Sequence, residues 1–231
     1  MPRTFGRSLL RGTFLVLAVA ALPAAVLTFR DLALTVSDEE LIAAAGGVAG
    51  YIVFALFSRN LAQWHFHVHE LSHMLAALCC LARIDEFHVS RKEGGYVSYS
   101  GVKSNAFIML APYWLPTLCL IPIALRYIVQ DDFVVWFVAA TAFAWALHAD
   151  LTFRQTRTYQ SDISDQGIFF SFVSIVALNG LCWLAVAAFA LGEPVDAALR
   201  FAGHAADLGL RGADGARILI DKALARAGVL T

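Results

Sequence analysis

Long stretches without a single charged residue leave this chain few folds to choose from. Residues 13–29, 41–57, 105–125, 133–149 and 168–191 contain no Asp, Glu, Lys or Arg. Each approaches the roughly 20 residues that carry a helix across a hydrocarbon core about 30 Å thick. A soluble domain has no means of hiding five such runs in 231 residues, 59% of them hydrophobic and only 15% charged; ordinary soluble domains are about 25% charged. Backbone groups in lipid must be satisfied within their own segment, so apolar runs of this length become helices. The expectation is an all-α polytopic membrane protein.

A sixth segment, 61–82, has helix length but a different character. Its first half holds His65, His67, His69, Glu70 and His73. Ionisable groups at membrane depth are expensive, face a protein interior or a wet cavity, and mark function by default. After it comes the longest polar stretch, 83–104, in which Gly94-Gly95-Tyr96-Val97-Ser98-Tyr99-Ser100-Gly101 alternates β-prone and small residues between glycines. That pattern predicts a short β-hairpin at the membrane surface. Pro112, Pro116 and Pro122 interrupt the 105–125 run and predict kinks or a broken helix.

Charge places the loops. Arg3, Arg7 and Arg11 precede the first run and put its start in the cytoplasm. The run is long for the core of a cleaved secretory signal, so a retained span is expected. Asp31, Asp38, Glu39 and Glu40 suit the opposite side, whereas Arg83, Arg91, Lys92 and Lys103, and later Arg154 and Arg157, suit the cytoplasm. These assignments agree if 61–82 is re-entrant, giving five crossings plus one; a full crossing there makes six. Residues 1–191 form the membrane-embedded domain, and 192–231 read as one or two amphipathic surface helices interrupted near Gly212 to Gly215.

The net charge of -1 excludes a nucleic-acid partner of the usual basic kind. Cys79, Cys80, Cys119 and Cys182 all lie in apolar segments without metal or redox spacing, and read as packing residues. The chemistry concentrates in His69-Glu70-Leu71-Ser72-His73. On a helix, residues four apart share a face, so His69 and His73 can hold one Zn²⁺ with Glu70 beside its water. A zinc hydrolase uses three protein ligands and keeps one position open. Asp162 is the favoured third ligand and Asp165 the alternative; both stand just ahead of the last apolar run, where Asp also serves as a helix N-cap. His65 reads as a supporting group or substitute ligand, His67 points elsewhere, and His148 reads as interfacial.

The chain resembles the site-2 protease group of intramembrane zinc metalloproteases, and most closely its small bacterial relatives, across residues 61–191. The resemblance rests on the pentad in a membrane helix, the glycine-rich β segment 94–101, the proline-broken Leu110-Ala111-Pro112 region and a late Asp before the final span. Many members have Ala-Gly-Pro with Asn three residues after the Pro, whereas here Leu115 holds that place; many carry the late Asp in Leu-Asp-Gly, whereas here it is Ser161-Asp162-Ile163. The resemblance implies Zn²⁺ as cofactor, Glu70 as general base and a late Asp as third ligand. It also implies a membrane-protein or peptide substrate, and residence in a bacterial inner membrane with the N-terminus cytoplasmic. Two other functions fit a membrane pentad. A metal transporter typically has Pro inside the pentad, where this chain has Leu71 and Ser72; an inactive protease-like scaffold has no need of an intact Glu70. Nothing in the sequence reports on oligomeric state.

Overall fold

The computed structural model describes residues 2–58, 61–90, 94–129 and 131–226. Among these, four helices are long and apolar enough to cross a membrane, Leu10–Ala33, Asp38–Phe57, Val134–Gln155 and Ile168–Ala190. They belong to α1 (Pro2–Ala33), α2 (Asp38–Phe57), α7 (Val134–Gln155) and α9 (Ile168–Ala190). The chain is thus an integral membrane protein of all-α polytopic design. The sharp entry into α2 is set by a capping box, in which the Ser37 side chain accepts from the Glu40 backbone N–H and the Glu40 carboxylate accepts from Ser37 N–H.

The long helices pack as two parallel pairs. Arg11, Phe14 and Leu22 of α1 meet Gln166, Phe170 and Gly180 at and along α9. In the other pair, Gly47 and Tyr51 of α2 meet Ala139, Phe143 and Asp150 of α7. The pair can close because Gly47 has no side chain: a Cβ there would overlap the carbonyl oxygen of Ala139. This is the close small-residue contact that drives helix association when no hydrophobic gain is left to be had in lipid. Since α1 leads into α2 through a short turn, the pairs run in opposite directions. The ends of α2 and α7 and the start of α9 therefore share one side of the molecule.

The pentad helix and the hairpin gather on that side, whereas Arg126 and Tyr127 reach the opposite one, beside Gly192 and Phe189 at the end of α9. Helix α3 (Leu61–Cys79) carries the pentad, and strands β1 (Arg83–Ser90) and β2 (Gly94–Ser100) pair antiparallel, with Phe87 opposite Val97 and Ser90 opposite Gly94. The hairpin expectation is met; its tip, with Arg91 and Lys92, lies outside the described residues. Helix α3 is not among the four long apolar helices. The run 105–125 is not a single helix either. It breaks into α4 (Ala106–Met109), α5 (Ala111–Trp114), a 3-10 turn Thr117–Cys119 and α6 (Leu120–Arg126). Pro112 falls at the start of α5, Pro116 just beyond its end and Pro122 near the start of α6, where a missing N–H costs least. The five or six expected helical segments are thus four long helices, α3 and a broken stretch.

Helix α8 (Ser161–Ser164) is one turn between α7 and α9. Helix α10 (Pro194–Arg226) begins three residues after α9 and folds across the end of α1, where Ala197 packs with Leu32 and the His204 imidazole pairs with Asp31 at 2.8 Å. It runs unbroken through Gly212 and Gly215, contrary to the expected interruption. Each glycine costs about 1 kcal/mol relative to alanine, which the surrounding Ala, Leu and Arg and the i,i+4 pairs Asp196–Arg200 and Asp207–Arg211 absorb.

Candidate metal centre

The pentad folds as helix and so puts His69 and His73 one turn apart, their rings 4.9 Å between centroids and nearly perpendicular. Both Nε2 atoms face the same oxygen, Asp162 Oδ2, at 3.2 and 3.4 Å. All three side chains are largely covered, with 12%, 12% and 13% of their surface exposed. Asp165 follows α8, is exposed and stays outside the group. The register of that single turn decides between the two carboxylates. Ile163, fully buried, anchors the turn against Tyr113 and Trp114, and the Ser171 hydroxyl donates to its carbonyl; with Ile163 turned inward, Asp162 meets α3.

Each histidine is oriented through its other nitrogen. His69 Nδ1 lies 2.8 Å from Gln155 Oε1, at the last turn of α7. His73 Nδ1 donates to the backbone carbonyl of Ile108 at 2.9 Å. That carbonyl is available for a local reason: in a continuous helix its partner would be the N–H of residue 112, which is proline. The proline break therefore supplies the acceptor that fixes His73.

With Nδ1 carrying the hydrogen, Nε2 of a neutral imidazole presents a lone pair. Two imidazole Nε2 atoms and a carboxylate oxygen converge on one point, where either an Nε2 proton shared with Asp162 or a bound cation makes the contact favourable. Atoms bound tetrahedrally to Zn²⁺ at about 2.0–2.1 Å lie about 3.3 Å apart, and the His-to-Asp separations here match that spacing. Two imidazoles, one carboxylate and an open side fit the composition of a catalytic zinc site, and the three potential ligand atoms lie within 4.8 Å of one another. Burial pushes the Asp162 carboxyl up, but its hydrogen bonds with His69 and His73 outweigh that and hold it below the ordinary carboxylate range.

Glu70 lies beside the group, 8% exposed, on the wall of a cavity of about 470 Å³ that it shares with His69, His73, Asp162 and the hairpin residues Gly95 and Val97. Gly95 permits the approach, since a Cβ there would stand 2.5 Å from Glu70 Cγ. Ser72 pins the pentad helix to the broken stretch through a 2.7 Å hydrogen bond between its hydroxyl and that of Thr117.

The other histidines stay apart. His65 Nε2 turns to Asp150 at 3.5 Å, and that carboxylate also accepts from the Tyr51 hydroxyl and Arg154 Nε, both at 2.7 Å. His67 Nδ1 meets the Gln63 carbonyl. His148, expected at an interface, is instead 2% exposed inside the helix packing, with Nε2 3.4 Å from Asn179 Oδ1. Two contacts escaped the sequence reading: Gln155, on His69, and Tyr113, whose hydroxyl donates to Asp162 Oδ2 at 3.1 Å. Neither belongs to a motif, and only proximity in the fold reveals them.

Residues 58–150 match the family model described as Peptidase M50B-like. The match takes in the pentad, the hairpin, the broken stretch and most of α7, and ends before Asp162. No curated protein and no solved structure matches. M50 peptidases are generally zinc metalloproteases. Over those residues the chain is similar to membrane proteases of the site-2 type.

Proposed function

We propose that this protein is an intramembrane zinc metalloprotease that hydrolyses a peptide bond of a membrane-protein substrate, with His69, His73 and Asp162 holding the metal and Glu70 acting as general base. The observation that carries the reading is the convergence of those three side chains on one point beside Glu70, in one cavity, within a chain of peptidase kinship. Bound Zn²⁺ would supply Lewis-acid polarisation of the scissile carbonyl and acidify the attacking water. Glu70 takes the proton from that water and hands it to the leaving amine, the two halves of general acid–base catalysis. Gly95 of β2 packs against the Glu70 side chain at the cavity wall, and Gln155 and Ile108 keep both imidazoles in the ligating tautomer.

The substrate enters as an unwound segment, because peptide bonds within a helix are shielded. We place the protein in a bacterial inner membrane from its likeness to small bacterial members of the site-2 protease group, with its N-terminus cytoplasmic because Arg3, Arg7 and Arg11 precede the first span. The test is zinc content together with cleavage of a transmembrane reporter in purified Asp162→Ala and Asp165→Ala proteins. The reading expects the first to lose both and the second to keep both. The reverse pattern removes Asp162 from the site, and zinc loss without loss of cleavage removes the metal from the reaction.

A further inference from the structure

We infer that Tyr113 is the positioning residue for the third metal ligand, fixing the plane in which the Asp162 carboxylate faces the two histidines. The inference rests on the zinc-site reading above and assigns a role that the pentad itself does not reveal.

Asp162 needs such a partner. The terminal torsion of an aspartate is a broad, two-fold rotor that the backbone does not set. Asp162 also sits in a helix of one turn, between the exposed Ser161 and the buried Ile163 that anchors the turn. The backbone of that turn places the residue but does not fix the plane of its carboxylate. Yet both Nε2 contacts, at 3.2 and 3.4 Å, and the Tyr113 hydroxyl, at 3.1 Å, fall on the same oxygen, Oδ2. A carboxylate oxygen has two lone-pair directions. The phenol occupies one and leaves the other for the metal.

Tyr113 is itself held at every end. Its side chain is fully buried, and its ring meets His69 edge to face, 5.5 Å between centroids at 86°. Its backbone carbonyl is an orphan of the break after α5 and accepts from Asn179 Nδ2 of α9 at 2.7 Å and from the Thr152 hydroxyl of α7 at 3.3 Å. A hydroxyl held by two spans therefore bears on a carboxylate whose plane its own backbone does not set. Partners that orient metal ligands in this way typically change metal affinity about 10- to 100-fold when removed.

The test uses Tyr113→Phe, which keeps the buried ring and deletes only the hydroxyl, in the full chain in detergent. Three readouts separate a positioning role from a merely structural one: zinc affinity by chelator competition, the visible spectrum of the Co²⁺-loaded protein, and thermal unfolding without metal. The expected result is zinc affinity weakened about 10- to 100-fold, an altered Co²⁺ spectrum reporting a changed carboxylate, and metal-free unfolding close to wild type. Equal affinity and an identical spectrum overturn the inference while leaving the zinc site standing. A wild type that binds no zinc overturns the zinc-site reading, and this inference with it. An unfolding loss in Tyr113→Phe that accounts for the whole change in affinity assigns the hydroxyl to stability and also overturns the inference.

Discussion

Replacing Gln155 by Leu isolates the contact that orients His69. The amide oxygen lies 2.8 Å from His69 Nδ1, and His69 is only 12% exposed. Leucine is close in size and accepts no hydrogen bond, so a covered N–H loses its partner, at a cost of about 1–3 kcal/mol. In the metal-loaded state that cost cannot be avoided, because ligation through Nε2 requires the hydrogen on Nδ1. Without metal, the ring escapes by moving its proton to Nε2, where Asp162 Oδ2 accepts it at 3.2 Å. The penalty thus falls mainly on the bound form. Converted at 1.4 kcal/mol per factor of ten, it weakens zinc affinity about 5- to 150-fold, in line with the 10- to 100-fold typical of such partners. Competition against a chromophoric chelator in detergent measures it. Gln155→Glu, which keeps an acceptor and adds charge, is expected to bind zinc at least as tightly as wild type. If Gln155→Leu binds within twofold of wild type, Gln155 does not orient a metal ligand and His69 takes its tautomer from something else.

Other substitutions test the surroundings. Gly95→Val places a branched side chain where even a Cβ would stand 2.5 Å from Glu70 Cγ. The displaced base should cost about 10²-fold in cleavage rate with zinc content unchanged, and a parallel loss of zinc would show that β2 supports the ligands instead. Gly47→Ala drives a methyl into the Ala139 carbonyl oxygen, whereas Gly46→Ala meets nothing within 4 Å. Thermal unfolding in detergent should fall for the first by about 1–3 kcal/mol and stay put for the second; equal effects would refute the close packing of α2 on α7.

What could be read from the sequence was whatever a local pattern encodes. Uncharged runs gave the spans, glycines flanking β-prone residues gave the hairpin, and three prolines gave the break that structure resolves into α4, α5, a 3-10 turn and α6. Contacts across the fold were not legible. Gln155 lay beyond the expected end of its helix at residue 149, since the apolar run stops there while α7 continues for six more residues. Tyr113 looked like any aromatic residue in an apolar segment; its position beside Asp162 depends on a chain reversal between α7 and α9. The sequence favours Asp162 over Asp165 without a packing reason; the inward turn of Ile163 supplies one by setting the register. His148 looked interfacial because it stands near the end of a run, yet Asn179 on a neighbouring helix gives it a buried partner. The glycines of α10 suggested a break because helix propensity is a weak prior, which thirty-three residues of mostly helix-favouring sequence override.

We propose that Glu70, beside a zinc ion held by His69, His73 and Asp162, moves the proton in peptide hydrolysis. The most direct test is the cleavage rate of a transmembrane reporter in liposomes, wild type against Glu70→Gln, with zinc occupancy measured on the same preparations. Both proteins should hold equal zinc, because Glu70 is not among the three converging groups, and the variant should cleave about 10²- to 10⁴-fold more slowly. Cleavage by Glu70→Gln at the wild-type rate, or a zinc-loaded wild type that cleaves no substrate at all, would contradict the account.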